Sequence, residues 1–114
     1  MAAVTDDMQL APMDPGDDVP YQVDFAGVIA DASDTSISAH DITLPLSGTV
    51  KGLTLGTHTA AGTVVEFWLS IDPGSPYDAT WWDGNGQLFP IIISVTTSGG
   101  KTLERTVRIR VKQL

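Results

Sequence analysis

His40 and His58 are the only imidazoles in the sequence, and Asp41 follows His40 directly. A histidine beside a carboxylate is the pairing of a general base and the group that orients it. In a regular strand, however, adjacent side chains point to opposite faces. His40 and Asp41 could cooperate only across a local bulge, so both histidines are read as ordinary surface or margin residues. No Ser sits in a Gly-x-Ser-x-Gly turn, the strained elbow that exposes a nucleophile. Gly100-Lys101-Thr102 imitates the end of a phosphate-binding loop, but the position five residues before Gly100 holds Val95 instead of Gly. That loop must also open a helix, and here a strand follows. The stretch 72–86 gathers Tyr77, Trp81 and Trp82 with Asp72, Asp78, Asp83 and Asn85. Its acids do not alternate as an ion-wrapping loop requires, so no metal and no cofactor are expected. Its aromatics suit a protein contact or a sugar ring. Alternatively, one Trp caps the end of the domain and the other lies on its own sheet.

These residues must be held by a chain of 114 residues, one domain's worth, with 42% apolar residues and no Cys. Disulfides and thiolate metal sites are therefore excluded. No apolar run is long enough to span a bilayer as a helix, so no membrane partner is expected. Asp6 and Asp7, with no Lys or Arg before Leu10, do not resemble a signal peptide. Net charge is −8, which disfavours nucleic acid as a partner. The charge is polarised. Residues 1–41 carry nine Asp and no Lys or Arg, whereas Lys101, Arg105, Arg108, Arg110 and Lys112 crowd the last fourteen positions. Such a molecule can attract copies of itself head to tail.

Periodicity points to an all-β fold. Val65, Phe67, Leu69 and Ile71 alternate with Glu66, Trp68 and Ser70. Phe89, Ile91, Ile93 and Val95 form a second inward row, and Leu103, Val107, Ile109 and Val111 a third. Ser98-Gly99-Gly100 between the last two rows is a tight-hairpin signal. Tyr21, Val23 and Phe25 alternate as a half-buried strand. From Ile37 to Leu44 the apolar parity switches near His40-Asp41, which one β-bulge would repair. Pro90 suggests a strand start or an edge. No stretch keeps a helical period. The fold class expected is an antiparallel β-sandwich of six to seven strands, immunoglobulin-like, with a small barrel as the alternative.

Residues 1–18, with Pro12, Pro15 and Gly16, are expected to form an extended arm before a β-sandwich domain at 19–114. Met8, Leu10 and Met13 are candidate anchors of that arm on a neighbouring surface. Arg108, Arg110 and Lys112, spaced by two, form an outward stripe that could receive acidic segments. With Tyr77, Trp81 and Trp82 these make the candidate partner-binding set. An exposed strand edge is a further candidate.

Three segments resemble a family of small tailed-bacteriophage virion proteins. Asp14-Pro15 and Val19-Pro20-Tyr21-Gln22-Val23-Asp24-Phe25 resemble its Asp-Pro…Tyr-x-x-Asp-Trp opening. Phe67-Trp68-Leu69-Ser70 resembles its Val-Trp-Leu-Ser strand. The run Thr96 to Val111 resembles its Thr-Thr-x-x-Gly-Arg-Thr-x-x-Arg-Ser-x-x-Ile-x-Val ending. The arm 1–13 and the long loop 72–86 depart from the family pattern. The resemblance implies a non-enzymatic structural protein of the phage particle, made in the cytoplasm of the bacterial host. It would bind other virion proteins and copies of itself, as capsid cement or decoration, or as a tail or fiber adaptor. A carbohydrate-binding module is the alternative reading.

Overall fold

The structure is a computed structural model and describes residues 2–3, 8–74 and 78–114. Among the described residues, eight strands form two four-stranded sheets. The strands are β1 (Ala2–Ala3), β2 (Met8–Gln9), β3 (Asp18–Asp24), β4 (Ile37–Thr43), β5 (Leu53–Ala61), β6 (Val64–Ile71), β7 (Gln87–Thr97) and β8 (Thr102–Val111). One sheet runs β1-β3-β6-β5 and the other β2-β8-β7-β4. The chain is an all-β sandwich, as its periodicity predicts.

The three strongest apolar rows lie where alternation puts them. Val65, Phe67 and Leu69 of β6 meet Phe89, Ile91, Ile93 and Val95 of β7 and Val107, Ile109 and Val111 of β8 in one buried core. Each such side chain contributes about 1.5–3 kcal/mol by leaving water. Hairpin β7–β8 turns at Ser98–Gly100, with the Thr97 N–H donating to the Lys101 carbonyl at 2.7 Å. Gly100 takes φ +86° there, which a β-carbon would disfavour. Pro90 pairs with Arg108 of β8, while the pairing of β7 with β4 stops at Ile92. The proline therefore lies where β7 has a ladder partner on one side only.

Three features differ from the expectation. The bulge in β4 falls between Ile37 and Ala39, slightly before the position where the parity switch becomes visible. A short helix, α1 (Ala26–Asp31), follows β3. The Asp24 carboxylate accepts the Ala26 N–H at 2.9 Å at its start, and Ser33 at φ +63° ends it. A single turn, α2 (Leu46–Thr49), precedes β5. Neither is long enough to display a helical period.

Residues 8–13 run along β8. Met8 and Gln9 pair in parallel with Val107 and Arg108, and the Leu10 and Met13 N–H groups donate to the carbonyls of Arg108 and Arg110 at 2.9 and 3.0 Å. The Tyr21 hydroxyl donates to the Ala11 carbonyl at 2.8 Å. Burial, with a smaller push from the Asp17 charge, raises its pKa to about 12, so it remains a donor at ordinary pH. Leu10 and Met13 are buried in the chain's own core.

The loop between β6 and β7 closes on the end of β8 at Gly86. Its φ is +61°, and a β-carbon would stand 1.9 Å from the Val111 carbonyl oxygen. Gly84 has the same φ with open space around it. Gly84→Ala should cost about 1–2 kcal/mol, the left-handed backbone term alone. Gly86→Ala should cost distinctly more, about 3 kcal/mol or above, because the backbone must move as well. Met13→Ala should cost about 2–5 kcal/mol, as a core truncation does. Urea unfolding of the three variants checks all these values.

Candidate interaction surfaces

The end of the sandwich that carries α2 and the 72–86 loop separates the two tryptophans. A 3-10 turn, Ala79–Trp82, begins where the Asp78 carboxylate accepts the Thr80 N–H and hydroxyl at 2.9 and 2.6 Å. Those bonds hold the Asp78 carboxyl below its usual range, the hydroxyl contributing most. The turn drives Trp82 into the core, fully buried, edge-on to Phe89 at 6.3 Å. Trp81 stays half-buried with Lys51 over its ring at 5.7 Å. Beside it, Leu46 and Val50 stand exposed one turn apart, Leu46 at 77%. Trp82 therefore caps the domain, and Trp81 stays at its surface, packed against the edge of the core. Tyr77 lies outside the described residues.

The outward face of the β7–β8 hairpin combines cations with apolar groups. Leu88 pairs with Arg110, Pro90 with Arg108 and Ile92 with Thr106. Leu88 and Ile92 are 37% and 36% exposed. Arg110 donates to the Asn85 carbonyl at 2.7 Å, a neutral acceptor. Lys112 continues the row, half-buried, while its backbone N–H donates to the Met13 carbonyl at 3.0 Å. Glu104 and Asp41 lie toward the hairpin end of the same face. On the opposite side of the sandwich, Trp68 is 36% exposed and pairs with Pro20. Gln22 donates to the Glu66 carboxylate at 2.7 Å one position along, and Asp18 sits at the strand start.

The arm anchors have a different fate from the stripe. Leu10 and Met13 are committed to the core, and Met8 is half-buried against it. Asp14 accepts the N–H groups of Gly16 at 2.7 Å and Leu114 at 2.9 Å. The bond from Leu114 is the main cause that holds its carboxyl below the usual range. The strand edges are occupied as well. Residues 8–13 cover β8 from Val107 onward, and on the other side β4 and β5 meet each other.

At that meeting the sequence reading missed a contact. His40 Nε2 lies 2.8 Å from His58 Nδ1, with the rings edge-on at 5.0 Å. A neighbouring bond from the Ile37 N–H to the Gly62 carbonyl, 2.9 Å, draws the same edges together. Only the packing of β4 beside β5 brings the rings into reach, so no local spacing signals the pair. At the hairpin end, Asp34 accepts the buried Thr97 hydroxyl at 2.6 Å and faces Lys101 at 3.4 Å. The Thr97 bond is the chief cause of its lowered pKa. Gly99 lets it approach, since a β-carbon there would meet an Asp34 oxygen at 2.2 Å.

Among the described residues no group of three metal-ligating side chains converges. No helix among them is long and apolar enough to cross a membrane. A family model described as podophage GP4 fiber-tail adaptor protein gp77 matches residues 13–110. No curated protein matches the chain.

The histidine pair predicts a pH response. Burial first, then the charge of His58, lowers the His40 pKa against an opposing pull from Asp41. A base depressed in the folded state stabilises fully above its unfolded pKa, about 6.5, begins to lose that contribution as pH drops below it, and has lost it once pH has fallen through the lower folded-state pKa. Stability of the native chain should therefore fall between pH 7.5 and 5.5. In His40→Gln the slope over this interval should shrink, which parallel urea titrations would show. An unchanged slope would reject the assignment.

Proposed function

The chain belongs to the podophage fiber-tail adaptor family, a family of phage virion structural proteins, and from this we propose that it is a non-enzymatic coupling module of the phage particle. Family membership across nearly the whole sandwich carries this reading. The strand orders support an immunoglobulin-like assignment. Lettered in chain order with β1 and β2 as the first strand, they follow the ABED and CFG arrangement of that fold, with β2 beside the last strand.

Its task is to hold neighbouring virion subunits together, and tail or fiber attachment is preferred over capsid cement because adaptors are what the family is described as. Trp81, Leu46 and Val50 offer one contact at the loop end of the sandwich. Leu88, Ile92, Arg108, Arg110 and Lys112 offer another on the sheet face. Aromatic and Arg anchors are the residue types that dominate contact energy at interfaces. The partners are other virion proteins and copies of this chain, met after synthesis in the host cytoplasm. The carbohydrate alternative is weaker, since burial of Trp82 removes one ring of the platform a sugar would need.

Quantitative mass spectrometry of purified virions should find the chain at a fixed copy number, a small set for an adaptor and hundreds for cement. Trp81→Ala and Arg110→Glu should each reduce incorporation several-fold while leaving urea stability within about 0.5–1 kcal/mol of the parent. Absence of the chain from the particle would reject the reading. Full incorporation of both variants would reject these contacts.

A further inference from the structure

We infer that the two outer faces of the sandwich are complementary halves of a head-to-tail contact, so that the β7–β8 face of one copy seats on the β3–β6 face of the next. This rests on the reading above that copies of the chain are among its partners, and it names the surfaces.

The observation behind it is a segregation of charge by sheet. Every Lys or Arg that lies on a strand lies on β8. The strands of the other sheet carry Asp18, Asp24 and Glu66 and no Lys or Arg. Strand alternation places Asp18 and Glu66 in the same outward row as Pro20 and Trp68. It places Arg108 and Arg110 in the same outward row as Leu88, Pro90 and Ile92. One face is thus acidic with an aromatic centre, and the other carries its cations beside an aliphatic centre, with Glu104 and Asp41 toward its hairpin end.

Glu66 takes its hydrogen bond from a neutral amide, and Arg110 gives one to a neutral carbonyl. The faces also point away from each other across the core, so no single copy can satisfy both. Opposite charge brings unlike faces together and steers the approach. Two β3–β6 faces brought together would oppose Asp18 and Glu66 with no cation on either strand pair, and two β7–β8 faces would oppose Arg108 and Arg110 wherever those ends meet. A contact between unlike faces is heterologous. It leaves one free face at each end and propagates until a rotation closes it. Trp68 meeting Leu88 and Ile92 supplies the desolvated centre, and the cations add attraction to the indole face.

The test uses the full chain and two face variants, Trp68→Lys and Ile92→Glu, each checked for native stability by urea unfolding. Sedimentation over a concentration series should show the parent chain assembling beyond the monomer, less so as salt is raised. Each variant alone should self-associate at least about tenfold more weakly. Mixed, they should form a one-to-one complex and nothing larger, because each retains the face the other has lost. A parent chain that stays monomeric throughout overturns the inference. So does a Trp68→Lys variant that still dimerises, which would mean the β7–β8 face binds itself. If either variant unfolds, Glu66→Lys and Arg110→Glu replace the pair with the same expected pattern. A chain that is incorporated into virions yet monomeric in solution would sink this contact and leave the adaptor reading standing. One that assembles but is missing from virions would do the reverse.

Discussion

Two stacked sheets protect a core from above and below but leave two sides open to water, and this molecule depends on how those sides are closed. On one side β4 and β5 draw together through the His40–His58 contact and the Ile37 to Gly62 bond. On the other, the amino-terminal segment crosses from one sheet to the other. Its first described residues pair with β3, the next with β8, and Leu10 and Met13 fill the gap between. Tyr21 fastens the crossing from the opposite sheet. The ends are treated alike. Trp82 plugs one, and Phe25 and Ile29 reach the core from around α1 at the other. Large side chains from irregular segments serve here because the strands have already committed every second residue to the sheet interface.

What the sequence could disclose follows from the range of each interaction. Alternation is local, so β6, β7 and β8 are legible residue by residue, and so is the turn at Ser98–Gly100. The bulge in β4 is legible as a change of parity. Its position is not, because parity shows only after the extra residue has been passed. Residues 8–13 have no period, since each of their buried groups answers to β8 rather than to its own neighbours. The fate of Trp81 and Trp82 is undecidable from composition. Adjacent identical residues part company only because the turn that Asp78 caps aims one ring inward. The stripe Arg108, Arg110 and Lys112 was visible as spacing, but its apolar companions Leu88 and Ile92 come from another strand.

Stability and recognition therefore draw on different residues. Trp82, Phe25, Met13, Ile29 and Leu10 lie outside the regular strands, and the core consumes them. Trp81, Leu46, Val50, Trp68, Leu88 and Ile92 remain partly or largely in water. Polar groups follow the same division. Among the described residues no buried side-chain oxygen or nitrogen lacks a partner.

The closure of the sides also decides which mode of association is open to the molecule. A free strand edge invites addition of another strand, and sandwiches must guard against it. Here β4 carries a bulge and β5 a register shift between Leu55 and His58, and the two face each other. On the far side β8 is covered from Val107 onward, and Pro20 interrupts the donor row of β3 where β1 no longer reaches. With β8 partly covered and β4 set against β5, the broad faces and the loop end are the surfaces on which the proposed contacts draw. Faces are read by shape and charge, whereas edges are read by backbone alone. The contact proposed between unlike faces would draw that discrimination from the segregation of bases onto β8, which involves no residue of the core.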